Sequence, residues 1–209
     1  MSDGESPAPT SMEDAIDLQR IIRSCRICAE DPIGAPLPIE PNPVLALSST
    51  ARILIAGQAP GNLADKTTKP FNDPSGVRLR DWLGITPEIF YDRSRIAILP
   101  MGFCFPGYDA KGSDLPPPPI CAKTWRARAL DTVPDVRLTV LIGAYAMRYH
   151  LPGFTTVTRA VADWQNHPKG VFALPHPSWR NTGWLKKNPW FEEDVLPRLR
   201  AAVRNVLDD

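Results

Sequence analysis

No run of eighteen apolar residues occurs anywhere in this sequence, so a membrane-spanning helix is not expected. The first residues, MSDGESPAPTSMED, lack the basic start and apolar stretch of a secretory signal, and a cytoplasmic protein is the expectation. Cysteine is scarce, at 4 residues. In a reducing compartment so few are better read as metal ligands or buried thiols than as disulfides. Charge of one sign is lacking too. A net charge of +1 excludes a basic nucleic-acid coat and an acidic solvating tail. It leaves room for a local patch: residues 175–191 hold Arg180, Lys186 and Lys187 with no acid among them.

Proline, by contrast, is plentiful. The 24 prolines and 13 glycines stay below the roughly 25–30% that marks low-complexity chains. With 43% hydrophobic residues, they point to a folded domain with long, shaped loops. A length of 209 residues suits one α/β domain and allows a full core without staples.

Residues 1–10 are rich in Ser, Pro and Ala and read as a disordered tail; residues 11–209 read as a single domain. Ser11 with Asp14 resembles a helix N-cap. Ala15, Ile16, Leu18, Ile21, Ile22, Cys25 and Cys28 then follow one helical face, which should stop near Asp31-Pro32. Residues 32–50 read as an extended connection. Strands are expected at Arg52–Gly57, Arg95–Leu99, Leu138–Ile142 and Val171–Leu174. Helices are expected at Val77–Leu83, Cys121–Leu130 and Ala144–Tyr149, with a closing helix over Phe191–Leu207 kinked or shifted at Pro197. This alternation predicts a three-layer α/β/α sandwich around a four-stranded, mostly parallel sheet. Three unusual loops, 57–75, 100–120 and 175–190, follow strands. In open α/β sheets ligands bind beyond the carboxyl ends of the strands, so these loops should converge on a site.

The cysteines are spaced Cys25-x2-Cys28 and Cys104-x16-Cys121. The second pair is too open for two zinc knuckles. A [4Fe–4S] cluster takes four thiolates from separate elements; a zinc site and four unrelated buried thiols are the alternatives. Gly57-Gln58-Ala59-Pro60-Gly61 leaves the first strand in a tight turn whose glycines let a backbone approach a ligand. Phe71, after Pro70, sits among polar neighbours, either as a platform for a flat base or as a loop anchor. His176 stands between Pro175 and Pro177 in a stiffened loop suited to presenting an imidazole, with Ser178, Trp179 and Arg180 beyond it. Trp179 and Arg180 could wedge into a base stack. His150 and His167 read as structural.

Together these residues resemble the uracil-DNA glycosylase superfamily, closest to its iron–sulfur family 4, over roughly residues 20–200. Gly57–Gly61 matches that family's GEAPG turn. Pro70-Phe71 matches its Pro-Phe pair, and His176-Pro177-Ser178 its His-Pro-Ser motif. Cys25, Cys28, Cys104 and Cys121 match its cluster ligands. Gln58 replaces the family 4 Glu and is similar to the Gln of the family 1 motif GQDPY, whose catalytic Asp is here Ala59. Pro100 stands where family 4 has its uracil-reading Asn, and Ala64 at its second acid, with Asp65 next.

The resemblance implies a glycosylase that flips uracil or a related deaminated base out of DNA and hydrolyses its N-glycosidic bond, initiating base excision repair. It implies base contacts from Gly57, Gln58, Ala59, Phe71 and His176. His176 would stabilise the departing base as a neutral donor. Asp65, Asp73 or the turn around Gln58-Ala59 would orient the water. Ser178, Trp179, Arg180, Lys186 and Lys187 would contact DNA, and the cluster would be structural. The alternative is a DNA-binding relative that does not turn over, or that traps DNA covalently.

Overall fold

The computed structural model describes residues 12–209, so the expected tail and the Ser11 cap lie outside the described residues. Four short strands form the centre: β1 (Ile53–Ala56), β2 (Ile96–Ile98), β3 (Leu138–Ile142) and β4 (Val171–Leu174). They pair in the order β2-β1-β3-β4, and every pairing is parallel. Ile55 lies opposite Ile98 on one side and Val140 on the other. A strand buried on both faces needs apolar residues at successive positions, and the four residues of β1 are all buried. Ile53 and Ile55 join one core with Leu79, Trp82, Phe90 and Phe191. Leu54, pointing the other way, joins a second core with Leu18, Ile22, Leu99 and Trp125. Helices on both faces complete the three-layer α/β/α sandwich.

The helices are α1 (Met12–Arg23), α2 (Ile27–Glu30), α3 (Asn62–Thr67), α4 (Pro74–Leu83) and α5 (Pro87–Phe90). After them come α6 (Pro119–Asp131), α7 (Gly143–His150), α8 (Val157–Ala162), α9 (Thr182–Lys187) and α10 (Leu196–Asp208). Among the described residues no helix is long and apolar enough to cross a membrane.

One expected helix is corrected. The face running through Cys25 and Cys28 is broken after Arg23. Backbone bonds from Ser24 to Ile21 and from Cys25 to Ile22 tighten the last turn, and the Ser24 hydroxyl donates to the Ile21 carbonyl at 2.9 Å. A serine that captures a helix carbonyl competes with the helical ladder, and the chain restarts as α2. At the C-terminus the register does change beside Pro197: a π-helical turn over Phe191–Val195 runs without a break into α10, whose first turn holds the proline, which lacks an N–H for the α-helical ladder.

The expected extended connection covers the exposed edge of the sheet. Ala46 pairs antiparallel with Ile98 through two bonds of 3.0 and 2.9 Å, so β2 is not an open edge.

Candidate active site

The three loops meet beyond the carboxyl ends of the strands. The Gly57 carbonyl accepts the Met101 amide and the Gln58 carbonyl accepts the Gly102 amide, each at 2.9 Å. The turn after β1 is thereby zipped to the loop after β2. The Gln58 Nε2 donates to the Leu115 carbonyl at 3.3 Å, and Arg180 Nη2 donates to the Gly112 carbonyl at 3.4 Å. Arg78 of α4 donates to the Ser178 carbonyl at 3.0 Å. Each of the three loops is therefore tied to another.

Phe71 is a non-glycine residue at φ 52°, a left-handed conformation that persists only where the surroundings enforce it. The enforcement is visible. Its carbonyl accepts the Tyr91 hydroxyl at 3.2 Å and Arg80 Nη1 at 3.3 Å. Gly76 packs against the same carbonyl, and a Cβ at residue 76 would lie 1.7 Å from that oxygen. The ring is half-buried. It meets Phe90 edge-on at 6.0 Å, and its rim would touch a Cβ on Gly57 at 3.5 Å. Phe71 is thus a loop anchor, one edge held on the core while its ring lies against the glycine turn.

His176 is fixed by its neighbours. Pro175 and Pro177 are buried, and the His176 carbonyl accepts Asn181 Nδ2 at 2.7 Å. Burial pulls its pKa below the ordinary histidine value, against the opposing pull of Asp73 and Asp114. The imidazole is therefore neutral at pH 7. Asp114 is the residue that sequence reasoning missed. Burial raises its pKa, while Arg180 and His176 oppose the rise. It lies in a short antiparallel bridge between Tyr108 and Asp114, and its one sequence signal was an acid next to the Leu115-Pro116 start of a proline run. His176, Asp73 and Asp114 thus bring one residue from each of the three loops into electrostatic reach.

The remaining candidates are placed as follows. Asp73 spends one oxygen capping α4, accepting the Gly76 amide at 2.9 Å. Asp65, on α3, has a buried Oδ1 with no hydrogen-bond partner, and its backbone carbonyl accepts Asn42 Nδ2 at 2.7 Å. A buried carboxylate oxygen without a partner calls for a donor such as water. Ala59 is half-buried in the turn. Ser178 caps the short turn that follows it, accepting the Arg180 amide at 3.2 Å. Trp179 is 74% exposed, with the Arg180 guanidinium 5.9 Å over its ring. Lys186 and Lys187 are exposed in the last turn of α9. His167 and His150 are structural: the first bonds the Ala160 carbonyl at 2.7 Å, the second Arg126 at 2.6 Å.

The four cysteines come from α2 and its preceding turn, from the loop after β2 and from α6. Cys28, Cys104 and Cys121 are buried and Cys25 is half-buried. Burial raises the thiol pKa of Cys28 and Cys104, and of Cys121 to about 12. Their mutual repulsion adds to the rise, so all four thiols lie within electrostatic reach of one another. Donors surround them: Trp125 Nε1 to Cys25 Sγ and the Phe103 amide to Cys121 Sγ, each at 3.3 Å. Among the described residues, no three His, Cys, Asp or Glu side chains are gathered closely enough to hold a metal ion.

The family model described as the uracil DNA glycosylase superfamily matches residues 46–200. The chain belongs to this superfamily. The match takes in the glycine turn, Phe71, Asp114 and His176. It includes Cys104 and Cys121 but starts after Cys25 and Cys28, so the N-terminal cysteine pair lies outside the shared region. Among solved structures, the chain is similar to a solution structure of a candidate uracil DNA glycosylase from Methanosarcina acetivorans. The two are 16% identical, the TM-score is 0.46, and the match covers 78% of this chain and 94% of the other.

Proposed function

We propose that this superfamily member is a DNA glycosylase of the family 4 type, which hydrolyses the N-glycosidic bond of uracil or a related deaminated base flipped out of DNA. The observation that carries the reading is that a neutral, clamped His176, within electrostatic reach of Asp73 and Asp114, and a Phe71 ring set against Gly57 stand on loops joined at the carboxyl edge of the sheet. A flipped base would lie against the Phe71 ring. As the bond from C1′ to the base nitrogen breaks, its electron pair stays on the base, and His176 donates a hydrogen bond to the oxygen where that charge grows. Water adds to C1′ and gives up a proton. Asp65, with its unpartnered oxygen, is the first candidate to orient that water, and Asp73 the second. Gln58 uses its Nε2 to hold the 100–120 loop, so its part is to shape the pocket.

The four cysteines are read here as ligands of a [4Fe–4S] cluster; what supports the reading is that they are the chain's full complement of cysteine and that burial raises the pKa of Cys28, Cys104 and Cys121 together with their mutual repulsion. When bound, the cluster would supply a cross-link between the N-terminal helices, the 100–120 loop and α6. Iron and sulfide analysis of anaerobically purified protein, with a broad absorbance near about 400 nm, tests it; zinc or no metal sinks it.

Release of free base from single-stranded DNA carrying uracil, hypoxanthine or xanthine tests the main reading. Single-turnover release of at least one base is expected. Tight binding without release, or a covalent adduct that survives denaturation, would instead favour a DNA-binding or trapping relative.

A further inference from the structure

Arg126 is the most deeply buried charged side chain among the described residues, with 1% of its surface exposed. It extends from α6 under the end of β2. Its Nη1 donates to the Leu99 carbonyl and, at 3.4 Å, to the Pro100 carbonyl. Its Nη2 donates to His150 Nε2 at 2.6 Å, and its Nε–H has no partner. Among the described residues no carboxylate bonds it. A guanidinium does not give up its proton to escape burial, so a cation is held here by carbonyls and an imidazole alone. That is costly, and an apolar side chain of similar volume would fill the space at less cost. The use of Arg126 lies in what its bonds hold.

They hold a segment whose polar groups are sorted to two sides. The carbonyls of Leu99 and Pro100 face Arg126. The amides of the next two residues, Met101 and Gly102, donate to the carbonyls of Gly57 and Gln58, each at 2.9 Å. The Pro100 carbonyl and the Met101 N–H belong to one planar trans peptide group, and so do the Gly57 carbonyl and the Gln58 N–H. A line of two peptide groups therefore runs from the guanidinium to the Gln58 amide, and hydrogen bonds in series polarise one another. The Gln58 N–H points away from Met101, because the two ends of a trans peptide group oppose each other. Among the described residues the one bond that Gln58 donates comes from its side chain. Its amide is therefore open to a ligand at the turn that lies against the Phe71 ring.

We infer that Arg126 is a positioning residue for the reaction: through its bonds to the Leu99 and Pro100 carbonyls it fixes, and through two peptide groups polarises, the Gly57-Gln58 turn against which the flipped base is held. Buried in the fold, it touches neither base nor DNA itself. Without the charge, the two carbonyls are free to turn and the register between the loops after β1 and β2 slackens. A shift of about 1 Å in such a wall costs up to about 100-fold in rate even when the substituted residue is far from the chemistry. The inference rests on the glycosylase reading above and does not depend on a metal at the cysteines.

The test compares Arg126→Gln, which keeps amide donors and drops the charge, with Arg126→Lys, which keeps the charge. Three quantities are measured: the single-turnover rate on lesion DNA that wild type cleaves, the Kd for that DNA, and hydrogen exchange at the Met101 and Gly102 amides. Exchange at Val140, in the centre of the sheet, reports global stability. Arg126→Gln is expected to cut the rate by about 10–100-fold, to leave the Kd unchanged, and to speed exchange at Met101 and Gly102 but not at Val140. Arg126→Lys should recover most of the rate and of the protection. If Arg126→Gln does not fold, His150→Ala, which frees Nη2 alone, should show the same pattern more weakly, and a wild-type pattern there would count against the role. A wild-type rate in the Gln variant, exchange speeded equally at all three amides, or equal losses in the Gln and Lys variants would overturn it. Wild-type protein that releases no base would remove the glycosylase reading, and the exchange measurement would still decide whether Arg126 holds the turn.

Discussion

An imidazole that must hydrogen-bond a departing anion is most useful when it stays neutral in the resting site, and burial does this for His176. Losing such a donor costs about 10²–10³ in rate. His176→Ala should therefore lower single-turnover cleavage by that factor and leave affinity for undamaged DNA unchanged; cleavage at the wild-type rate would remove the leaving-group role. The pH dependence has a definite sign. Because the pKa is depressed, the neutral form survives below the ordinary histidine value, and the rate should fall only as pH drops through the lowered pKa. Asp73 and Asp114 both pull that pKa upward. Asp114→Asn should thus shift the acid limb of the pH–rate profile to lower pH, whereas an unmoved limb would mean that Asp114 does not face the imidazole. Phe71→Ala should cost about 1–3 kcal/mol of base stacking, appearing both as weaker binding of lesion DNA and as slower cleavage. Asp65→Asn, measured in the same assay, reports whether its unpartnered oxygen holds the water.

At the scale of elements, backbone fit outweighs intrinsic propensity. Gly76 lies inside α4, where alanine ordinarily gains up to about 1 kcal/mol over glycine. Here the added Cβ would meet the Phe71 carbonyl at 1.7 Å. Gly76→Ala should instead destabilise by about 1–3 kcal/mol, as overpacking does, and release Phe71 from its left-handed turn. Denaturant unfolding and the cleavage assay would both register it, and a stabilised variant would show that the clamp yields freely. His150 adds an acid-labile joint between α6 and α7. Its folded pKa of about 4 lies below the unfolded value, so its contribution is complete above the unfolded pKa of about 6.5 and is lost as pH falls from there through 4. Allowing for partial exposure, that loss is about 2 kcal/mol, and His150→Gln should flatten the fall in stability over this window. The strands were legible because burial on both faces writes them as unbroken apolar runs, so that Leu138–Ile142 and Val171–Leu174 were read with the observed limits. The break after Arg23 was not legible, because Cys25 and Cys28 continue the helical period while the Ser24 hydroxyl ends the helix. Asp73 as the cap of α4 had a local signal in Asp73-Pro74, which places proline at the first helical position. Asp114 had only its place beside the Leu115-Pro116 start of a proline run, since its neighbours in the site come from loops far away in sequence.

Over the whole molecule, a net charge of +1 gives little long-range pull toward a polyanion, so attraction to DNA has to come from where the cations stand. Arg180, Lys186 and Lys187 follow the His176 loop without an acid between them. The Arg180 chain is drawn across Trp179 and toward the Gly112 carbonyl. Lys186 and Lys187 stand exposed at the end of α9 and, among the described residues, have no carboxylate partner. The helix that carries them is anchored from beneath: Trp184 donates to the Thr158 hydroxyl at 2.8 Å and packs edge-on against Phe191 and Trp190. Its charges are therefore held in place beside the site rather than spread over a mobile tail. Each lysine that neutralises a phosphate releases counterions and adds about 0.9 to the slope of log affinity against log salt. Lys186→Ala with Lys187→Ala should flatten that slope by up to about 2, with affinity falling alike for damaged and undamaged DNA. Arg20→Ala is the control, because Asp17 already pairs with that charge at 3.0 Å, and it should leave the slope where it was. A slope unmoved by the double lysine variant would place both lysines in bulk solvent and shift the DNA path to the opposite rim of the three loops.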